Sequence, residues 1–193
     1  MTGLSLALAN LKPGTGKTTS AVWLAHVFAQ AGNNVLLVDA DPSGSALEWS
    51  DLAAMDPGTP PEAAFPFRIV ALPSRELHRR LPEIARDDDV VIIDTPQLED
   101  HTAIARSALR YADEIVIPCA PNPIEVNRTT PTRDEIAEVE PLRDRPARSA
   151  RLPEPGSAST ASTWPPRTSA NADPSATVSV VLPAPPCSPT TAI

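Results

Sequence analysis

The chain has 193 residues, with 16 Lys plus Arg against 24 Asp plus Glu and a formal net charge of −8, so no global basic field draws it to nucleic acid or anionic lipid. Its two cysteines are too few for a disulfide framework and fit a reducing cytoplasm. The N-terminal apolar run lacks the basic flank and cleavage-like end of a signal peptide, and no run approaches the ~20 apolar residues that span a bilayer, so one domain with its own core is expected.

Leu4–Ala9 is an apolar run flanked by small residues and reads as a strand buried on both faces. It runs into NLKPGTGKTTS at 10–20, which ends in Gly16-Lys17-Thr18 as a phosphate-binding loop does. Leu11 stands where the G-x-x-x-x-G-K-[ST] pattern has its first glycine, and a second lysine, Lys12, follows it. Thr18–Ala31 reads as a helix, apolar around most of its circumference and therefore deep, with Gly32-Asn33 as its stop. Val35–Val38 is the next strand, ending at Asp39, and Ser45–Leu52 predicts a short helix capped by Ser43 or Ser45.

Asp56–Pro61 is a turn-rich connection, Arg68–Ala71 a third strand, and Glu76–Ala85 helical apart from Pro82. Val90–Ile93 is a fully apolar strand that runs into Asp94. Thr102–Tyr111 reads as a helix and Glu114–Ile117 as a fifth strand. Thr132-Arg133-Asp134-Glu135 has capping-box spacing and opens a helix to about Glu140. Apolar strands alternating with helices predict βαβ units, a parallel sheet covered on both faces, and strand C-terminal ends gathered on one edge. Asn10, Asp39, Asp94 and Pro118 all fall just past strand ends, at the edge where open α/β sheets bind ligands.

The chemistry concentrates there. Glycines let backbone N–H groups turn inward around phosphate oxygens, and a helix N-terminus adds the positive end of its dipole. Lys17 would neutralise β- and γ-phosphate charge, and the Thr18 hydroxyl would ligate Mg2+. The bland alternative is a Gly-rich turn with a solvated lysine. Asp94, ending its strand beside such a loop, suits Mg2+ through water, or else caps a helix. Asp39 and Asp41 form a second acidic pair that read alone would open an Asp-Pro turn. His26, His78 and His101 have no metal-ligand spacing, and Cys119 reads as a small buried apolar residue. Trp23 and Trp49 read as packing residues, and His78-Arg79-Arg80 and Asp87–Asp89 as solvated surface.

Lys12-x-Gly14-x-Gly16-Lys17-Thr18-Thr19, VLLVDADPSGSALEW (Val35–Trp49) and DVVIIDTP (Asp89–Pro96) occur in order, and from Leu4 to about Glu140 the chain resembles the ParA/MinD group of deviant Walker-type ATPases. The small ParA type that partitions plasmids and chromosomes is the nearest in pattern. The resemblance implies a P-loop NTPase-type, three-layer α/β/α fold with a mainly parallel sheet, ATP and Mg2+ as cofactors, and an ATP-dependent homodimer. It also implies a ParB-like centromere-binding partner, non-specific DNA contact and no membrane. On the same resemblance Lys12 acts in trans on the partner's phosphates, Lys17 in cis, and Thr19 on the α-phosphate, with Pro13, Gly14, Thr15 and Gly16 forming the rest of the cradle. Thr18 would be the direct Mg2+ ligand, Asp39 and Asp94 would hold the Mg2+ hydration shell, and Asp41 would position the attacking water. The chain departs from the family at Pro13, usually Gly, and at Ser43, usually Gln.

Two regions then stand out. The sequence begins just before the first strand, so no N-terminal helix-turn-helix domain is expected. From Pro141 onward the strand–helix rhythm stops in Pro-, Ala-, Ser- and Thr-rich text, with one strand-like run at Thr177–Leu182. The expected organisation is a nucleotide-binding domain at 1–140, C-terminally incomplete, and a disordered or poorly packed tail at 141–193. Such text is what GC-rich coding DNA yields out of frame, so a frameshift near 140–151 would explain it; a Pro-rich interaction tail is the rival. Two other functional readings stay open: a MinD-like positioning ATPase, which needs a C-terminal amphipathic helix, and an inactive remnant or nucleotide-binding interaction module.

Overall fold

The computed structural model describes residues 3–55 and 65–143. The connection expected at Asp56–Pro61 lies outside the described residues, as does the tail beyond Arg143, including the run at Thr177–Leu182. Five strands, β1 (Leu4–Leu8), β2 (Val35–Asp39), β3 (Arg68–Ala71), β4 (Val90–Asp94) and β5 (Glu114–Val116), form one sheet in the order β3-β2-β4-β1-β5. Every pairing is parallel.

Alternate side chains of the apolar runs enter opposite layers, as the period of two requires. Ala7, Leu36, Val38, Val91 and Ile93 pack against α3 (Leu77–Ile84), α4 (Leu98–Tyr111) and α6 (Thr130–Val139). Leu6, Leu8, Val35, Leu37, Val90 and Ile92 pack against α1 (Lys17–Gln30) and α2 (Ser45–Met55) on the other face. The result is the three-layer α/β/α arrangement, with the central strands dry on both sides.

Several local expectations change. The first helix is not buried all round: Trp23 and Val27 are 60% and 56% exposed, because its core stripe needs only Ala21, Val22 and Ala25. It stops as expected, in a Schellman turn in which Gly32 N–H reaches Ala29 O and Asn33 N–H reaches Phe28 O, with Gly32 at φ 87°. The fourth helix starts at Leu98 rather than Thr102, with a non-helical residue, His101, between its first turn and the predicted body. A short helix, α5 (Pro123–Asn127), capped by the Asn122 side chain, was not legible because one turn is too short to show a period. Thr132 does not cap α6. Pro131 occupies the first turn, so the helix begins at Thr130 and Thr132 is carried inside it, fully buried.

The lower end of the sheet is tied by a reciprocal pair. Asp113 Oδ2 accepts from Ser5 N–H at 3.0 Å and from Ser5 Oγ at 2.7 Å, while Asp113 N–H donates to Ser5 Oγ at 2.9 Å. Replacing Asp113 with alanine takes the side-chain acceptor from the buried Ser5 N–H and leaves the Ser5 hydroxyl only the Tyr111 carbonyl at 3.4 Å as an acceptor. We expect a loss of about 2–3 kcal/mol, read as a lower denaturant midpoint with an unchanged slope.

Candidate functional site

The register sets Asp39 opposite Asp94 on neighbouring strands and Leu8 opposite Asp94 on the other side, so β1, β2 and β4 end level. The segment between β1 and α1 turns back through left-handed backbone at Gly14, φ 70°, and Gly16, φ 83°, where any side chain would be strained. Those two turns belong to the glycines and not to position 13, so the fixed φ of Pro13 does not oppose them. The helix that follows has no side-chain cap and no acidic residue in its first turn. Its free N–H groups and dipole end are therefore left for an anion.

A cavity of about 500 Å3 opens here, lined by Pro13, Gly14, Thr15, Gly16, Lys17, Thr18 and Thr19 on the loop side. Asp41, Ser45, Trp49 and Gln97 face them. Lys17 is 8% exposed and its Nζ lies 3.4 Å from the Lys12 carbonyl oxygen. Burial pushes its pKa below the usual lysine range, and the negative charges of Asp94 and Asp41 oppose that shift. A buried cation that hydrogen-bonds only a carbonyl of its own loop, at 3.4 Å, is poised for a stronger anion.

Asp94 supplies the complementary observation. It is 1% exposed, and neither carboxylate oxygen accepts a hydrogen bond of normal geometry. Burial raises its pKa to about 7; the nearby Thr18 hydroxyl and Lys17 pull it back, while Asp39 and Asp41 push it further. A desolvated, unpartnered carboxylate beside a threonine hydroxyl is a donor set that a hard cation such as Mg2+ would satisfy. The buried hydroxyl of Thr15 is likewise without a partner. No group of three or more His, Cys, Asp or Glu side chains gathers around a common point among the described residues.

Asp39 is placed differently from Asp94, although the strand ends look alike in sequence. Its Oδ2 accepts from Ala46 and Leu47 N–H, both at 3.0 Å, and its Oδ1 from Asp41 N–H at 3.2 Å. The carboxylate therefore caps α2, a role the sequence assigned to Ser43 or Ser45. Those two hydroxyls instead lie 3.2 Å from each other. Burial raises the pKa of Asp39, and its three backbone hydrogen bonds oppose that. Asp41 lines the cavity, and its Oδ1 accepts from Ser43 N–H at 2.9 Å, closing the turn between β2 and α2.

Lys12 is not with the others. It is exposed and does not line the cavity; its N–H donates to Asn10 Oδ1 at 3.1 Å. Sequence reasoning missed Ser45 and Gln97 as cavity residues and took Trp49, 37% exposed at the cavity wall, only for packing. The signal available for Gln97 was its position just after the Asp94-Thr95-Pro96 strand end. No helix among the described residues is long and apolar enough to cross a membrane.

Residues 6–149 match the family model of the CobQ/CobB/MinD/ParA nucleotide binding domain. The maintenance of carboxysome distribution protein A of Gloeobacter kilaueensis is 40% identical over 124 residues, 63% of this chain and 51% of that protein. The chromosome-partitioning ATPase Soj of Thermus thermophilus is 30% identical over 139 residues, 58% of this chain and 53% of that protein. Cobyrinic acid a,c-diamide synthase of Mycobacterium smegmatis, solved with a bound ATP analogue and magnesium, superposes with a TM-score of 0.57 at 25% identity, covering 74% of this chain and 68% of that one. The chain spans about half the length of the curated relatives it matches.

Proposed function

The chain belongs to the CobQ/CobB/MinD/ParA family of P-loop nucleotide-binding domains, and from that membership we propose that it is a Mg2+-dependent ATPase that dimerises on ATP to position a cargo. The single observation that carries this reading is a buried loop lysine, Lys17, at the uncapped start of α1, beside a buried carboxylate, Asp94, whose oxygens accept no hydrogen bond of normal geometry. The cradle from Pro13 to Thr19 would hold the phosphates through backbone N–H groups, with Thr19 on the α-phosphate and Lys17 on the β- and γ-phosphates. Thr18 and Asp94 would hold Mg2+, Asp94 through its water shell. Asp39 would act mainly by fixing α2, since its oxygens are already engaged. When bound, Mg2+ would neutralise charge on the β- and γ-phosphoryl oxygens. Asp41, at the cavity wall opposite the loop, is the residue to orient the attacking water.

Lys12 would serve a second copy. Its exposure outside its own cavity supports action in trans, where a cation delivered to developing phosphoryl charge does the work of an arginine finger. Sedimentation or light scattering of the full chain with ADP and with a slowly hydrolysed ATP analogue tests this. The wild type should dimerise with the analogue only. Lys12→Ala should still bind Mg2+-ATP within about threefold yet stay monomeric or lose turnover by 10^2-fold or more. A Lys12→Ala chain that dimerises and hydrolyses as the wild type does would remove Lys12 from the mechanism.

The cargo we infer is DNA, plasmid or chromosomal, with a ParB-like activating partner, as the relationship to Soj supports. The relationship to carboxysome-distribution proteins favours a second reading, in which the cargo is a carboxysome and not a plasmid or chromosome.

A further inference from the structure

We propose that Thr132 is a positioning residue for Lys12, holding the lysine-bearing segment from α6; this rests on the in-trans role of Lys12 proposed above. Leu11 N–H donates to Thr132 Oγ1 at 3.0 Å, across 121 residues of sequence. One residue earlier, Asn10 Nδ2 donates to Pro118 O at 2.9 Å while its Oδ1 accepts from Lys12 N–H at 3.1 Å. Residues 10–12 are thus braced from two sides, by the segment just after β5 and by α6, shortly before the left-handed turn at Gly14.

The sequence makes little sense of Thr132 otherwise. Thr132 stands in the first turn of α6 and is fully buried, where a hydroxyl is costly unless it is bonded. Valine would fill the same volume without that cost, so the hydroxyl is explained by the acceptor it offers to Leu11. The helix that carries it is itself fixed: Ile136 and Val139 sit in the core with α4, and Arg106 on α4 bonds Glu135 at 2.8 Å and Glu138 at 2.5 Å. The brace therefore connects a rigid body to the one functional lysine that lies outside the cavity. A group that must reach another protomer's phosphates loses rate steeply when its base is displaced by about 1 Å.

The test uses full-length Thr132→Val and Thr132→Ser. Amide exchange at Leu11 in the nucleotide-free protein should accelerate at least tenfold in Thr132→Val and return toward wild type in Thr132→Ser. Affinity for Mg2+-ATP should stay within threefold in both. Turnover should fall at least tenfold in Thr132→Val and recover in Thr132→Ser. Unchanged Leu11 exchange in Thr132→Val overturns the brace by itself. Faster exchange with unchanged turnover overturns the positioning role, as does a parallel fall of affinity and turnover that serine does not rescue. A wild-type chain that binds no ATP instead sinks the functional reading and, with it, the catalytic half of this inference.

Discussion

Lys17→Ala should lower the affinity for Mg2+-ATP by about a hundredfold and take turnover below detection. In the wild type the ammonium is already desolvated, so the cost of burying the charge has been met in the fold and the phosphate gains a cation that water does not screen. Loss of one charge-assisted contact at a dehydrated site is worth about 2–3 kcal/mol in binding, and more where phosphoryl charge builds up. Lys12→Ala should leave binding nearly intact, so the two lysines separate cleanly in equilibrium titrations. Equal losses of affinity in the two variants would contradict the division of labour between them.

Asp94→Asn should have opposite effects on stability and on function. The folded chain holds a proton on Asp94 up to about pH 7, whereas the unfolded chain gives it up near the ordinary aspartate value of about 4. Between those values the native state binds more protons than the unfolded state, so stability falls as pH rises. The favourable contribution is fully present below about pH 4 and lost as pH passes through about 7. Asparagine removes that loss. The variant should exceed the metal-free wild type by about 2–4 kcal/mol at pH 8, with the gap closing toward pH 4. The same change should abolish the Mg2+ dependence of nucleotide binding. Denaturant melts at several pH values, without metal, read the first effect, and a gap independent of pH would contradict the burial argument.

The core of the fold was legible because it is written in strong, simple signals. LSLAL, VLLVD and VVIID are short apolar runs of the length and composition of a strand covered on both faces, and Gly14 and Gly16 announce left-handed turns. The loop wall of the cavity was equally plain, since its residues, Pro13 to Thr19, are contiguous. What stayed hidden depends on contacts between distant segments. Thr132 looked like a helix cap because Thr-x-x-Glu spacing is local information, while its actual partner, Leu11, lies 121 residues away. Asp39 and Asp94 carry the same letter at the same strand position, and only the turn into α2 decides that one caps a helix and the other is left unpartnered. Trp49 stands on α2 and Gln97 in the segment between β4 and α4, so no spacing rule joins them to the cavity they line.

Titration of the full-length chain with ATP, calorimetrically and with Mg2+ or EDTA present, tests most directly whether this is a working nucleotide site. Saturable binding that requires Mg2+ and collapses in Lys17→Ala is the predicted result. Absence of binding at millimolar ATP, or binding indifferent to both Mg2+ and Lys17, would contradict it.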